Sequence, residues 1–168
     1  MPKLLHKIPS KVTIACSGGL DSMAVAAFCL AGRRDVTLVY FNHGTEYAPL
    51  AEDFVKSWAA ANNCNSLVGR IENSKPKNKS WEEFWRDERY AYFNRILLPD
   101  QKIITAHHLD DAVETWIFTA LRGNPRLIPS SREPNIIRPF LLWTKEELRN
   151  VALQKKIPWI EDPSNAEV

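Results

Sequence analysis

No C-x-x-C pair occurs in the chain, and its three cysteines, Cys16, Cys29 and Cys64, are odd in number and far apart. A disulfide framework is thereby excluded, and no zinc or iron–sulfur ligand set is offered. The cysteines are expected as small buried hydrophobes, Cys16 included, because a cysteine ending a central strand is usually core and not a nucleophile. Long apolar runs are missing too. The longest, residues 23–31, is too short to span a bilayer, and residues 1–10 carry neither the apolar core nor the cleavage pattern of a signal peptide. These absences predict a cytoplasmic protein with no membrane partner. Internal repeats and composition breaks are also lacking, so a single domain over residues 1–168 is expected. At 168 residues and 45% apolar content, such a domain buries roughly 70% of its unfolded surface without staples.

The net charge of +2 is small but unevenly placed. Residues 122–156 hold eight basic side chains against three acidic ones, and Lys75, Lys77 and Lys79 form a second basic group. Clustering of this kind suits either a polyanionic partner or a solvated face.

One stretch organises the rest. Val12-Thr13-Ile14-Ala15-Cys16 reads as a strand, Ser17-Gly18-Gly19-Leu20-Asp21-Ser22 follows it, and residues 23–31 are helical. Two glycines let backbone N–H groups converge on one oxyanion, while the helix dipole adds partial positive charge behind the hydroxyls of Ser17 and Ser22. The stretch therefore reads as a phosphate-binding loop. It lacks the Gly-Lys-[Ser/Thr] ending of the Walker type, so no lysine of the motif reaches the β- and γ-phosphates.

Apolar runs at residues 36–41, 66–71, 102–106 and 135–138 read as further strands, and helical spacing recurs over 49–61, from Ser80 to about 97, over 112–121 and from Thr144 to about 155. Glu83 and Glu147 stand three residues after Ser80 and Thr144, the capping-box spacing. Trp81 and Trp85 are expected in the core in preference to a base-stacking platform. Residues 72–79 and 122–134 read as loops, and Asp162-Pro163-Ser164-Asn165 as a turn. Strands of buried type alternating with helices predict an α/β fold, a doubly wound parallel sheet of about five strands with helices on both faces. Ligands of such sheets sit beyond the carboxyl ends of the strands near a switch point. Residues 17–22, Asn42-His43 and 107–111 all fall at strand ends, so they are expected to converge on one crevice.

In His107-His108-Leu109-Asp110-Asp111-Ala112-Val113-Glu114, Asp111 and Glu114 share a helix face and Asp110 sits at the helix start. Grouped carboxylates beside a phosphate suit Mg²⁺, or a general base; acids complementing the helix dipole are the alternative. Adjacent histidines on a strand point to opposite faces, so one of the pair is structural.

Taken in order, these motifs carry a resemblance. The loop 17–22, Asn42-His43-Gly44, the stretch Trp81-Glu82-Glu83-Phe84-Trp85-Arg86-Asp87-Glu88-Arg89-Tyr90, His107-His108-Leu109-Asp110-Asp111 with Glu114-Thr115, Ile137-Arg138-Pro139-Phe140 and Asp162-Pro163-Ser164-Asn165 resemble the tRNA(Ile)-lysidine synthase family of the PP-loop ATP pyrophosphatase superfamily. The resemblance implies adenylation of an anticodon wobble cytidine by ATP, release of pyrophosphate, and displacement of AMP by the ε-amine of free lysine. It implies ATP binding by Ser17, Gly18, Gly19, Leu20, Asp21, Ser22, Asn42, His43 and His107, with Mg²⁺ on Asp21 and Asp110. Catalytic roles fall to Asp21, Arg86, Asp110, Asp111 and Glu114, and tRNA contact to Arg89, Arg122, Arg126, Arg138 and Lys145. On the residues alone, Arg86 and Arg89 also suit pairing with Glu82, Glu83 or Asp87 on their own helix.

The sequence departs from the family at Thr45-Glu46, where Leu-Arg is usual, and at Asn124-Pro125-Arg126-Leu127-Ile128-Pro129, where the family is glycine-rich. Family members continue into C-terminal tRNA-binding domains beyond the point matching Val168. A domain of this extent is expected to bind tRNA weakly and with steep salt dependence, or to work beside a protein that supplies those domains. Two other functions stay open, another PP-loop base modification such as thiolation, and a non-catalytic nucleotide-binding module.

Overall fold

The computed structural model describes residues 2–132 and 134–161; the turn expected at residues 162–165 lies outside them. In chain order the elements are β1 (Lys11–Ala15), α1 (Leu20–Ala31), β2 (Asp35–Asn42), α2 (Ala48–Ala61), β3 (Asn65–Arg70), α3 (Trp81–Ile96), β4 (Ile103–Ile104), α4 (Leu109–Leu121), β5 (Ser131–Arg132), β6 (Ile136–Ile137) and α5 (Lys145–Gln154). The sheet runs β3-β2-β1-β4-β6-β5, parallel throughout except for the β5–β6 pair. It thus has six strands where about five were expected, the extra one being the two-residue β5.

Side chains alternate across this sheet as the pleat requires. Val12 and Ile14 of β1, Val36, Leu38 and Tyr40 of β2, Ile104 of β4 and Ile137 of β6 point into one core, which α1, α2 and α5 cover through Met23, Val25, Val55, Trp58, Leu148 and Ala152. Val39, Ile103 and Ile136 point the other way, onto Phe93 of α3. Both faces are therefore covered, and the near-continuous apolar run of β2 follows from that. The helix between β1 and β2 lies on one face and the helix between β3 and β4 on the other, so winding reverses where β1 and β4 lie side by side. That junction is the switch point.

The helix starts follow the capping chemistry of the sequence. Ser80 Oγ accepts the Glu83 N–H at 3.1 Å, and Thr144 and Glu147 complete a capping box at the start of α5. Trp81 departs from expectation: it is 56% exposed, and as the first residue of α3 it packs against Trp85, Phe84 and the Lys75 ammonium at the surface, while Phe84 and Phe93 do the burying. Cys16 and Cys29 are buried, as their spacing implied, and Cys64 is half-buried. Burial pushes the Cys29 thiol up to about 12 and raises that of Cys16, so both are inert. Among the described residues no helix is long and apolar enough to cross a membrane.

Candidate functional site

The loop leaving β1 is shaped by its glycines and serines. Gly18 has φ +84°, the left-handed region, and its carbonyl accepts the Ile160 N–H at 3.0 Å. A Cβ there would stand 3.1 Å from Ile160 Cδ1 and 3.3 Å from Phe54 Cδ1. Gly19 is the N-cap of α1 and offers no side chain to it, so the first-turn N–H groups of the helix face outward for a ligand. Buried Ser22 donates to the Gly19 carbonyl at 3.0 Å and accepts from Ser17 N at 3.2 Å. Ser17 Oγ accepts from Gly19 N at 3.3 Å. The two hydroxyls thus fix the turn from within. Asp21, in the first turn of α1, keeps Oδ1 buried and without a hydrogen bond.

Beyond β4 the chain presents the second half of the site. His108 is buried and is the N-cap of α4, closing a capping box in which its backbone N–H donates to Asp111 Oδ2 at 2.9 Å and its Nδ1 accepts the Asp111 N–H at 3.4 Å. Its Nε2 then points to Asp21 Oδ2, 3.5 Å away, while Asp110 Oδ2 lies 3.7 Å from Nδ1. Burial opposes charge on this imidazole, but Asp21, Asp111 and Asp110 outweigh it and raise the pKa. Asp110 Oδ2 also accepts the N–H of Lys145 at 2.8 Å, anchoring the start of α5 to that of α4. The carboxylate of Asp111 is spent on its own helix, the helix-dipole alternative, whereas Glu114 is exposed. Of the two histidines, His108 is the structural one. His107 bonds Thr105 Oγ1 at 2.8 Å, and burial, then the charge of Arg138, lowers its pKa to about 4.

Asn42 and His43 only partly join the crevice. Asn42 Oδ1 accepts the Gly44 N–H at 2.8 Å and its amide donates to Glu52 Oε2 at 2.9 Å. Buried Glu52 is held in turn by Arg70 Nη2 at 2.7 and 2.8 Å, and the Asn42 hydrogen bond leads the causes that lower its pKa. His43 packs between Phe41 and Trp85, with ring centroids 5.1 and 5.4 Å apart; burial, then Arg89, brings it to about 4. Half-buried Arg89 lies against the Tyr90 ring at 5.7 Å and bears electrostatically on both His43 and His107. It makes no ion pair with the acids of its helix among the described residues, while Arg86 is exposed.

The remaining basic candidates separate into two groups. Arg122, Arg126 and Lys145 are exposed, with Arg122 stacked 4.0 Å from the Phe118 ring. Arg138 is set apart from them: it is only 4% exposed and donates from Nη1 to the Pro129 carbonyl at 2.8 Å. It follows the buried strand β6 and is enclosed with it. Lys145 lines an open cleft of about 520 Å³ with Leu20, Asp110, Glu146 and Arg149, directly beside the loop.

Two of the three strand-end clusters therefore meet at the switch point, across Asp21 and His108. No group of three or more His, Cys, Asp and Glu side chains surrounds a common metal position among the described residues. The unpartnered Asp21 Oδ1 nevertheless fits Mg²⁺, which takes one or two carboxylates and completes its shell with phosphate oxygens and water.

The family described as the PP-loop domain matches residues 2–168. The chain belongs to the PP-loop family. It is 32% identical over 171 residues to a tRNA(Ile)-lysidine synthase of Thermus thermophilus, covering 97% of this chain and 34% of that protein. A tRNA(Ile)-lysidine synthase of Alkalilimnicola ehrlichii is 33% identical over 92% of this chain and 38% of its own length; that of Exiguobacterium sibiricum is 30% identical over 96% and 41%. The chain thus spans between a third and two fifths of the length of these curated relatives. Among solved structures it is similar to an NH₃-dependent NAD synthetase of Campylobacter jejuni, with a TM-score of 0.61 and 14% identity over 90% of this chain and 66% of that one. This second likeness bears on the fold alone.

Proposed function

We propose that this PP-loop domain uses ATP to adenylate the wobble cytidine of a minor isoleucine tRNA and joins free lysine to it. The observation that supports the reading is the meeting of a glycine loop at a helix N-terminus with a carboxylate–histidine cluster across Asp21 and His108. A phosphate-binding loop without a motif lysine suits release of pyrophosphate, since backbone N–H groups hold the leaving anion. The cytosine C2 oxygen attacks the α-phosphorus, and the bond to the β-phosphate oxygen breaks. The lysine ε-amine then attacks C2, the C2–O bond breaks, and AMP departs.

Ser17, Gly18, Gly19, Leu20 and Ser22 shape the anion cradle, with Asn42, His43 and His107 bordering the nucleotide. Asp110 and Glu114 attract the lysine ammonium, and a carboxylate of this group takes the proton that the amine loses. Arg86 faces negative charge on the adenylated intermediate, while Arg89, Arg122, Arg126 and Lys145 meet tRNA phosphate. Asp21 and Asp110 are the residues that would hold Mg²⁺, which when bound neutralises charge on the phosphates.

Incubation with labelled lysine, ATP and a tRNA carrying a CAU anticodon tests the proposal. Label enters the tRNA, and Asp21→Asn lowers incorporation on the order of a hundredfold or more. ATP turnover without label would transfer the chain to another PP-loop base modification, and absence of turnover at low salt would end the catalytic reading.

A further inference from the structure

A row of aromatic rings runs from the surface at the start of α3 to the end of β2. Trp81, Trp85 and Arg89 stand four residues apart, so they line one stripe of the helix in steps of about 6 Å. The Trp81 and Trp85 ring centroids are 5.8 Å apart, and the Trp85 ring lies 5.4 Å from that of His43 at the edge of the crevice. Arg89 bears electrostatically on the same His43. The outer end of the row is open, since Trp81 is exposed while Trp85 and Arg89 are half-buried. An indole left in water forgoes much of the roughly 150–250 Å² that it could bury. The charges around it are arranged as well. The Lys75 ammonium stands 5.4 Å from the Trp81 centroid, fixed there by bonds to the carbonyls of Lys79 at 2.7 Å and Pro76 at 3.1 Å, so a cation braces the ring. Lys77 is exposed and makes no ion pair among the described residues. Of the acids on this helix, Asp87 is neutralised by Lys79, and helical geometry turns Glu82 and Glu83 about 100° and 200° away from the Trp81 direction.

We propose that the exposed Trp81 indole is a stacking platform for an unpaired base of the RNA substrate, with Lys75 and Lys77 meeting the phosphates beside it and the stripe through Trp85 to Arg89 leading the strand toward His43. The RNA itself is taken from the function proposed above; the platform is what this surface adds to it. An unpaired nucleotide offers a flat π face next to a phosphate, which is the pairing of shapes and charges that an aromatic ring flanked by lysines accepts. An apolar peptide leaves the lysines without a use, and a duplex has its bases already stacked. Because stacking tolerates any base, and because Trp81 stands two ring spacings out from His43, the platform holds a neighbour of the target base. Selection of the target is then left to the crevice.

Fluorescence anisotropy tests the platform without ATP or lysine, at about 50 mM salt, using a labelled single-stranded heptaribonucleotide that contains CAU and the same strand paired to its complement. Circular dichroism is the control for folding. Trp81→Leu keeps apolar bulk against Phe84 and Trp85 but has no π face; it is expected to weaken single-strand binding about tenfold and to leave duplex binding unchanged. Trp81→Phe, which keeps a ring, costs about threefold or less. Lys77→Glu weakens both RNAs and lowers the salt slope by about one. In the lysine-incorporation assay, Trp81→Leu raises KM for tRNA about tenfold and leaves kcat within about twofold. A Trp81→Leu variant that binds the single strand as the wild type does, or loses both RNAs equally, overturns the platform, as does a wild type that binds neither RNA or a variant with unchanged KM. RNA binding that depends on Trp81 in a chain that incorporates no lysine ends the lysidine reading and keeps the platform.

Discussion

The Nε2 atom of His108 lies 3.5 Å from Oδ2 of Asp21, so the cap of α4 is in electrostatic contact with the first turn of α1. Two helices separated by most of the sheet's connectivity are thereby coupled through one imidazole. Asp21→Asn removes one of the carboxylates that hold the His108 pKa above 6.5, and an NMR titration of His108 should show it falling. The sign for stability follows. A raised folded-state pKa contributes stability that is fully present below about 6.5 and is lost as pH rises through the folded value. Asp21→Asn should therefore cost more stability at pH 6 than at pH 9, measured by urea denaturation.

His43 and His107 work in the opposite sense. Both are held near 4 in the folded protein, chiefly by burial, so the unfolded chain binds more protons between about 4 and 6.5. Stability should rise with pH across that window and level off above it. His107→Asn should flatten the slope by on the order of 1–2 kcal/mol, after allowance for partial solvent exposure; chemical denaturation at pH 4.5, 5.5 and 7 reads it.

Glu52→Gln should cost about 2 kcal/mol, because it weakens a buried carboxylate that Arg70 and Asn42 hold at 2.7–2.9 Å. The same variant releases the Asn42 amide. Nucleotide affinity, followed by isothermal titration, should fall with stability if the Asn42-His43-Gly44 turn borders the ligand.

Gly18→Ala combines a left-handed backbone with a Cβ placed 3.1 Å from Ile160. A loss of about 1–3 kcal/mol is expected, and hydrogen exchange should localise the loosening to residues 17–22 and the segment around Ile160. Gly123→Ala, also at positive φ but with open space around it, should cost less.

The glycine loop and the doubly wound sheet were legible because their signals are local: a β-like run, two glycines, then helical period. Thr144 and Glu147 were legible for the same reason, as a box of ordinary cap residues. His108 closes an equivalent box, but histidine is not a usual N-cap, so sequence spacing left the imidazole's part in it unseen. Arg138 stands in sequence within a basic third of the chain, whereas in space it lies with the enclosed β6 and the Pro129 carbonyl. Trp81 differs in the reverse direction, since helical spacing does not reveal which turn of α3 lies over the core; Phe84 and Phe93 do, and Trp81 stays exposed. Glu52 carried no motif at all. Only the fold brings it under Asn42 and Arg70.

The hydrogen bond from Ile160 to Gly18 joins opposite ends of the described chain at the phosphate loop. Closing so large a span is entropically late. During synthesis β1, the loop and α1 emerge from the ribosome first, yet the loop lacks this clasp until residue 160 has followed. Competence to bind an anion should accordingly be acquired near the end of folding, after the sheet has formed, and a nascent chain stalled before that segment should fold without gripping its nucleotide.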